Sequence, residues 1–509
     1  MTRNISGRRS AVIAALLCTT TAAHADVTAQ QVWDSWKTQM TVYGDAGISF
    51  GAETMAGDTL TVESIAIDIS DEYGDFQVTS TMGPIAFTEQ GDGTVAIALP
   101  DSYPLRIAFD GGDEYFDLLI TQQNAQMTAS GTPQAISYAL SADRYALEVA
   151  GISPEMEEEA SFEAGILAMT DITGTYLVTE GNLQTISYAL DIGALEAEML
   201  VRENSDRGES ISFDAMVDGM SMTADIAMPA GMTMADIDMD PGFAQGTSFA
   251  GSYAFGASTY SFLADFEYDY VAADAEIAEG ALDFAMNLDG LRYATMTRGV
   301  AISANIPEEF PMPIEASMAE ASFVIDLPLS KSDAPRDMEM GFALRDLAVA
   351  DPLWSMVDPG AVLPRDPVTM VIDITGKATP LFDLLDPEQQ MAAAMSDLPG
   401  ELNEVTLNEL TLRGLGAEVL GEGAFTFDNT DLQTFDGLPR PEGQVAVRVN
   451  GANALIDNLI AMGLIPEEQV MMPRMMMGMF STPVGDDQLE SVLEINAQGH
   501  VLANGQRLQ

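Results

Sequence analysis

The feature that most constrains this chain is an alternation of apolar and polar residues, which is clearest in ISYALSADRYALEV at residues 136–149. The letters ISYAL return at 186–190, in ISYALDIGALEAEM. Successive side chains of a β-strand point to opposite sides of a sheet, so an alternation with period two predicts strands with one buried face. Because similar runs separated by turn residues recur along most of the chain, we expect a protein built from many strands.

The two ISYAL copies are compatible with a repeated unit of about fifty residues. They are equally compatible with two unrelated strands of similar composition, and two copies do not decide between these interpretations. In either case the apolar residues of each copy should share one face of their strand: Ile136, Tyr138 and Leu140 in the first copy, and Ile186, Tyr188 and Leu190 in the second.

Breaks in the alternation are interpreted as strand ends. On this basis 134–140 and 144–150 are separate predicted strands, and so are 212–217 and 223–228. The predicted fold class is mainly β (α+β), with one or more large twisted antiparallel sheets that are elongated or curved. A few helices are expected at the N-terminus and in the C-terminal third.

Two helix starts carry capping signals. Thr28 and Gln31 form a capping-box pair before an apolar stripe that includes Trp33. Asp386 and Gln389 flank a proline at the first helical position. We divide the chain into a signal peptide at 1–25, an N-terminal helix at 26–44, an antiparallel sheet region at 45–330 and a C-terminal β-region at 331–509. The helices predicted in the last region are at about 386–398, 452–462 and 466–480.

The N-terminus predicts export. Three arginines precede a short apolar run at 11–17, and Ala-His-Ala at 23–25 is a small-x-small cleavage pattern. We expect cleavage after Ala25 and a location in the periplasm or associated with the cell envelope. The apolar run is shorter than the roughly 20 residues that span a bilayer, so no transmembrane segment is expected in the mature chain.

Charge and residue inventory exclude several functions. The chain has 79 acidic and 20 basic residues, a net charge of −59, so nucleic acid is excluded as a partner because a polyanion would be repelled. The single cysteine, Cys18, lies in the predicted signal peptide, and His500 is the one histidine beyond it. Disulfides, thiolate metal sites and Ser-His-Asp chemistry are therefore not expected, and the sequence predicts no cofactor and no enzyme.

A weak calcium signal is present in the middle of the chain. Asp236, Asp238 and Asp240 resemble the start of a calcium loop, but Pro241 occupies the position that needs glycine and Thr247 that of the bidentate glutamate. Three carboxylates on a solvated face are the favoured explanation of the pattern. One alternative function is therefore a calcium-dependent structural or adhesive surface protein, and a second is a hydrolase that uses paired carboxylates.

Methionine is unusually frequent, with 32 residues. One concentration lies between residues 216 and 239. The other lies near the C-terminus and contains our hydrophobic-surface candidates: Met471, Met472, Met475, Met476 and Met479. Three interpretations are open for these clusters, namely core packing, an adaptable apolar surface for lipids or partners, and a copper(I) site made of thioethers.

The end of the chain resembles a known family. It contains a strand, GQVAVRVNG at 443–451, a helix with LIDNLI at 455–460, and LEINAQGHVLANGQRL at 493–508. These segments resemble the close of an uncharacterised family of exported proteobacterial proteins, domain of unknown function 2125. The resemblance implies an envelope location and, by looser analogy, the elongated sheets of envelope proteins that handle lipids or assist outer-membrane assembly. It implies no catalytic residues.

The function predicted from the sequence is non-catalytic binding of a lipid-like hydrophobic ligand or of an envelope protein partner. A large curved sheet with an apolar concave face would suit such a ligand. The sequence makes no prediction about oligomeric state.

Overall fold

A single antiparallel sheet dominates the computed structural model, which describes residues 26–41, 47–71, 74–205, 208–232, 242–266, 270–307, 310, 312–396 and 399–508. All twenty-nine strands in these ranges belong to that sheet. The predicted fold class is confirmed, since helices lie at the N-terminus and in the C-terminal part of a mainly β chain. The predicted signal peptide lies outside the described residues.

Short strands at both ends flank long ones in the middle of the chain. The first ten are β1 (Ile48–Phe50), β2 (Glu53–Ala56), β3 (Thr59–Val62), β4 (Ile65–Ser70), β5 (Phe76–Met82), β6 (Ile85–Glu89), β7 (Val95–Ala98), β8 (Ser102–Phe109), β9 (Glu114–Gln123) and β10 (Gln126–Thr132). The middle ten are β11 (Ala135–Ile152), β12 (Ala160–Thr179), β13 (Leu183–Glu203), β14 (Ser210–Pro229), β15 (Ser248–Phe255), β16 (Ser258–Asp265), β17 (Tyr270–Ile277), β18 (Glu279–Asn287), β19 (Gly290–Asn305) and β20 (Ile314–Pro328). The last nine are β21 (Arg336–Val349), β22 (Val368–Pro380), β23 (Gly400–Gly414), β24 (Ala417–Asp428), β25 (Arg440–Asn450), β26 (Thr482–Gly485), β27 (Gln488–Ile495), β28 (Val501–Ala503) and β29 (Gln506–Arg507).

Helices occupy several of the connections. They are α1 (Ala29–Thr41), α2 (Pro154–Glu159), α3 (Asp351–Val357), α4 (Pro387–Ala394), α5 (Ala452–Ala461) and α6 (Glu467–Phe480). At the start of α1 the predicted capping box is present: the Thr28 N–H donates to the Gln31 side chain at 3.0 Å, and the Gln31 N–H donates to the Thr28 hydroxyl at 3.3 Å. The Asp386 carboxylate caps α4 by accepting from the Glu388 N–H at 2.9 Å.

Most neighbouring strands in the sheet are also consecutive in the sequence. At several places, however, two short strands lie end to end and pair with the same long strand. Strands β10 and β9 both pair with β11, β15 and β16 both pair with β14, and β18 and β17 both pair with β19. The ladder before β10 and β9 is divided in the same way, because β7, β6, β3 and β2 pair in one series and β8, β5, β4 and β1 in another. The sheet therefore has two halves along the strand direction.

A line of kinks separates these halves, and we call it the fold line. Left-handed residues mark it: Asn124 (φ 51°) between β9 and β10, Asp171 (φ 51°) in β12, Gly219 (φ 60°) in β14, Gly299 (φ 61°) in β19 and Asp346 (φ 54°) in β21. A residue in the left-handed conformation departs from extended geometry and bends the strand locally. The pairing register continues without a shift through Asp171, Gly219 and Gly299. Because the kinks line up across neighbouring strands, the whole sheet bends there.

The prediction of short separate strands is wrong at the fold line. Segments 134–140 and 144–150 belong to the single strand β11, and 212–217 and 223–228 belong to β14. The apolar–polar alternation shifts by one residue at the kink. The apolar residues on the two sides of the kink are three positions apart in the sequence instead of two. The pairs are Ala142 and Tyr145, Met169 and Ile172, Ile192 and Leu195, and Val217 and Met220. The kink therefore shifts the sequence phase by one residue while the same side of the sheet stays apolar.

We expect alanine at Gly299 to destabilise the sheet more than alanine at Gly219. Both residues have φ near +60°, which costs an L-residue about 1 to 2 kcal/mol. A Cβ at Gly219 meets nothing within 4 Å, whereas a Cβ at Gly299 lies 2.7 Å from the Ala278 Cβ. Overpacking adds about 1 to 3 kcal/mol. Denaturant unfolding of Gly219→Ala and Gly299→Ala checks this, and equal losses would contradict the close approach at the fold line.

A second prediction concerns Asp487, whose carboxylate caps α5 from a distant turn. It accepts hydrogen bonds from the Ala454 N–H at 2.9 Å and from the Asn453 N–H and side-chain amide at 3.1 and 2.8 Å. Burial acts to raise the pKa of the Asp487 carboxyl, but these hydrogen bonds hold that pKa below its ordinary value.

The stabilisation is present above the ordinary aspartate pKa of about 3.9 and is lost as pH falls through the lower folded-state pKa. Asp487→Asn should remove that acid dependence and cost about 1 kcal/mol at neutral pH, the usual value of a helix cap. Melting curves between acid and neutral pH measure both effects. Asp486→Asn, at the exposed neighbouring position, is the control.

Candidate functional site

One side of the sheet is apolar along fourteen strands, and we call it the inner face. It is defined by a row of directly paired residues that contains no charged side chain. The row is Tyr138, Tyr176, Tyr188, Ala224, Gly251, Phe284, Tyr293, Ile325, Met340, Ile374, Leu407, Gly423, Val445 and Leu493. Residues paired across antiparallel strands lie on the same side of the sheet, so this row is continuous in space.

The opposite side, the outer face, is polar and charged. In the neighbouring row Arg292 pairs with Asp326 and Glu339, both at 3.1 Å, across three adjacent strands. These side chains are about 40% exposed, so each ion pair contributes little to stability. Their consequence is a strongly hydrated outer face, which leaves the inner face as the apolar surface of the sheet.

Helix α1 covers the first part of the inner face. Val32 and Trp33 are fully buried against strands β3, β6, β7, β10 and β11, and the Trp33 ring lies 5.7 Å from the Phe87 ring. Beyond α1, large apolar side chains of the inner face remain exposed, including Tyr188 (36%) and Phe342 (40%). Large apolar side chains that are exposed together on one face mark interaction sites.

The fold line makes the inner face concave. Residues on either side of the kink, such as Leu140 and Tyr145 of β11, belong to one apolar cluster built around Ile172 and Ile192. When a sheet bends, the side chains of its two halves approach one another on the concave side. The inner face therefore lines a groove whose base is the fold line.

A cavity of about 430 Å³ lies where α1 ends on this groove. Trp36, Gln39 and Met40 of α1 form one side of it. Both ISYAL copies contribute to the other side, through Tyr138, Leu140, Ile186, Tyr188 and Leu190, while Ile136 lies in the adjacent core. The two segments are therefore two parts of the same wall.

Three tyrosines lie side by side across this wall at the pocket. Tyr138, Tyr176 and Tyr188 are directly paired on β11, β12 and β13, and the first two rings lie 5.7 Å apart. The Tyr176 hydroxyl donates to the Gln39 side chain at 2.5 Å. The Tyr138 hydroxyl is buried without a hydrogen bond of acceptable geometry in the described residues, although polar groups of Ser35 and Gln39 lie nearby. Burial raises the Tyr138 pKa, so the hydroxyl stays protonated.

The candidate calcium ligands Asp236, Asp238 and Asp240 lie outside the described residues. Within the described ranges, no group of three or more His, Cys, Asp and Glu side chains is arranged to hold a metal ion. The calcium hypothesis stays a prediction.

The C-terminal methionine candidates all lie on α6 and are exposed. Core packing is therefore the wrong interpretation for them, because their exposed fractions run from 48% to 68%: Met471, Met472, Met475, Met476 and Met479. The helix instead rests on Val470, which is buried. Whether the exposed side chains bind a partner stays a prediction.

A polar cleft of about 600 Å³ on the outer face gathers five carboxylates. They are Glu196, Glu198, Asp214, Asp274 and Glu276. Elsewhere in the structure, hydrogen bonds from the Val362 and Leu363 N–H groups hold the pKa of the Asp358 carboxyl below its ordinary value. A general acid needs the opposite, a raised pKa. Nothing in the described residues points to catalysis.

Sequence reasoning missed the pocket because its parts are distant in the chain. Trp36 and Met40 are recognisable as an apolar stripe of α1, but nothing local indicates that they meet strand β13. Tyr176 lies in a recognisable strand, yet only the pairing register places it between Tyr138 and Tyr188.

Comparison with known proteins finds no matching family model, no similar curated protein and no similar solved structure. Among the described residues, the helices are too short or too polar to cross a membrane.

We expect Tyr138→Phe and Tyr176→Phe to change stability in opposite directions. Removing the unpaired Tyr138 hydroxyl should be neutral or stabilising, because a buried unsatisfied polar group costs about 1 to 3 kcal/mol. Removing the Tyr176 hydroxyl breaks its bond to Gln39 and should cost about 1 kcal/mol.

Denaturant unfolding of the two variants beside the parent chain makes the measurement. A loss of stability in Tyr138→Phe as large as that in Tyr176→Phe would mean that the Tyr138 hydroxyl is satisfied in solution.

Proposed function

We propose that this is an exported, non-catalytic envelope protein that holds lipid-like molecules, with their acyl chains on the inner face. The observation that carries the proposal is the continuous inner face beyond α1, where large apolar side chains such as Phe342 remain exposed. Leaving such a surface in water is costly at about 25 cal/mol per Å². An apolar ligand removes that cost.

The dimensions and chemistry of the inner face favour an acyl chain over a protein segment. Fourteen strands at about 4.8 Å spacing extend for roughly 60 Å, several times the length of a lipid tail in half of a 30 Å hydrocarbon core. A lipid tail needs no hydrogen bonds, whereas a protein segment brings backbone amides that require partners. The defining row of the inner face offers hydroxyl groups only on its tyrosines.

Charge restricts the class of lipid. A chain with net charge −59 repels anionic headgroups, so zwitterionic or neutral lipids fit it better. The envelope location rests on the predicted signal peptide and on the resemblance to the exported family.

Two glutamate substitutions test the groove with a matched control. Tyr188→Glu and Phe342→Glu place a charge on the inner face, whereas Leu177→Glu places one on the outer face at a side chain of similar exposure, 39%. We expect the two inner-face variants to bind the neutral apolar fluorophore phenylnaphthylamine about tenfold more weakly, which corresponds to 1.4 kcal/mol. Leu177→Glu should bind as the parent does.

Purification from an envelope fraction, followed by mass spectrometry, identifies the natural occupant. Zwitterionic or neutral lipids should accompany the parent chain and be depleted in Tyr188→Glu. Equal fluorophore binding by all variants would contradict the groove. A co-purifying protein without lipid would favour the alternative, an envelope protein partner.

A further inference from the structure

Helix α6 presents five thioethers to solvent on one face. At about 100° per residue, Met471, Met475, Met479, Met472 and Met476 fall, in that angular order, within an arc of about 140°. Their exposed fractions, 48% to 68%, agree with that arc. We call this surface the methionine face.

The other side of the helix makes the contacts with the protein. Val470 is buried, Met477 is half-buried, and Arg474 forms an ion pair with Asp457 of α5. Val470 and Met477 lie about 180° from the centre of the methionine face, and Arg474 lies about 130° from it. The five exposed methionines therefore are not needed to dock the helix, and their chemistry is free for another use.

The spacing suits a soft monovalent metal ion. Residues four apart rise about 6 Å along a helix and lie on the same side, so flexible side chains at these positions can converge on one ion. The methionine face contains three such pairs, namely 471 with 475, 475 with 479, and 472 with 476. Thioether sulfur is a soft ligand that selects copper(I) over harder cations such as calcium or magnesium.

The composition of the chain leaves thioethers as its main soft ligands. The one thiol, Cys18, lies in the predicted signal peptide, and His500 lies in the turn before β28 rather than on α6. The net charge of −59 raises the local concentration of any cation near the surface. Glu467 and Glu468 add negative charge in the first turn of the same helix.

We propose that the methionine face of α6 binds soft monovalent metal ions, copper(I) or its analogue silver(I), through two or three thioethers per ion. This site is separate from the lipid groove. It also explains why methionine rather than leucine occupies exposed helical positions, since leucine would give an equally apolar surface without a metal ligand.

The test compares leucine with methionine on α6. The parent for all measurements is the full chain carrying Cys18→Ser, so that no thiol is present. The α6 variant replaces Met471, Met472, Met475, Met476 and Met479 by Leu, which keeps the apolar surface and the helix propensity. The control variant replaces five exposed methionines elsewhere by Leu: Met55, Met356, Met370, Met391 and Met395.

Silver(I) is titrated by calorimetry in chloride-free buffer, and copper(I) is titrated anaerobically against bicinchoninate. We expect the parent and the control variant to bind at least one equivalent, and the α6 variant to lose that equivalent or to bind it at least about tenfold more weakly, a loss of 1.4 kcal/mol. Equal binding by the α6 variant, or no binding by the parent, overturns the proposal.

A second readout does not depend on the folding of the fivefold variant. Methyl-labelled methionine spectra of the parent are assigned for α6 with single Met→Leu substitutions. Silver(I) should shift the α6 methyl resonances and leave that of the exposed Met55 in place. Shifts spread equally over all exposed methionines would indicate nonspecific binding and would contradict a site on α6.

Discussion

The cross-strand pairing of one continuous antiparallel sheet is the constraint on which every other feature depends. Residues that pair directly lie on the same side of the sheet. The side occupied by a residue of β11 is therefore passed from strand to strand, through thirteen pairings, to β27. A slip of one residue in any strand would exchange the two faces of that strand. The inner face, the pocket and the hydrated outer face all follow from this shared register.

The fold line reconciles long strands with a concave surface. Asp171 and Gly219 adopt left-handed backbone geometry within strands of twenty residues. The kinks keep the apolar side inward on both sides of the bend, so Leu140 and Tyr145 belong to one cluster. A flat sheet of the same sequence would leave both halves of the inner face open to water. Bending buries its centre and leaves the margins accessible.

Several local features could be read from the sequence. The Thr28 and Gln31 capping box, the Asp386 cap and the mainly β fold follow from short-range rules of hydrogen bonding and side-chain direction. The strand ends at the fold line could not be read in this way, because a turn and a kink use the same residue types. A phase slip such as that between Ala142 and Tyr145 is the signal that distinguishes them, since a turn would end the alternation.

The methionines illustrate a second limit. The spacing of Met471, Met475 and Met479 predicts that they share one side of α6, and they do. The same spacing is found on buried and on exposed sides of helices, so it does not predict burial. Burial depends on which side of the helix faces the rest of the protein, and the buried Val470 marks that side.

By itself the sequence determined the β class, the alternation that separates an apolar from a polar face, and the helix starts, because each depends on residues a few positions apart. The tertiary structure alone decided which strands pair, where the sheet bends, and that the two ISYAL segments form one wall with Trp36 and Gln39 of α1. These are long-range relations, set by register and by the accumulated geometry of many strands, and no short stretch of sequence encodes them.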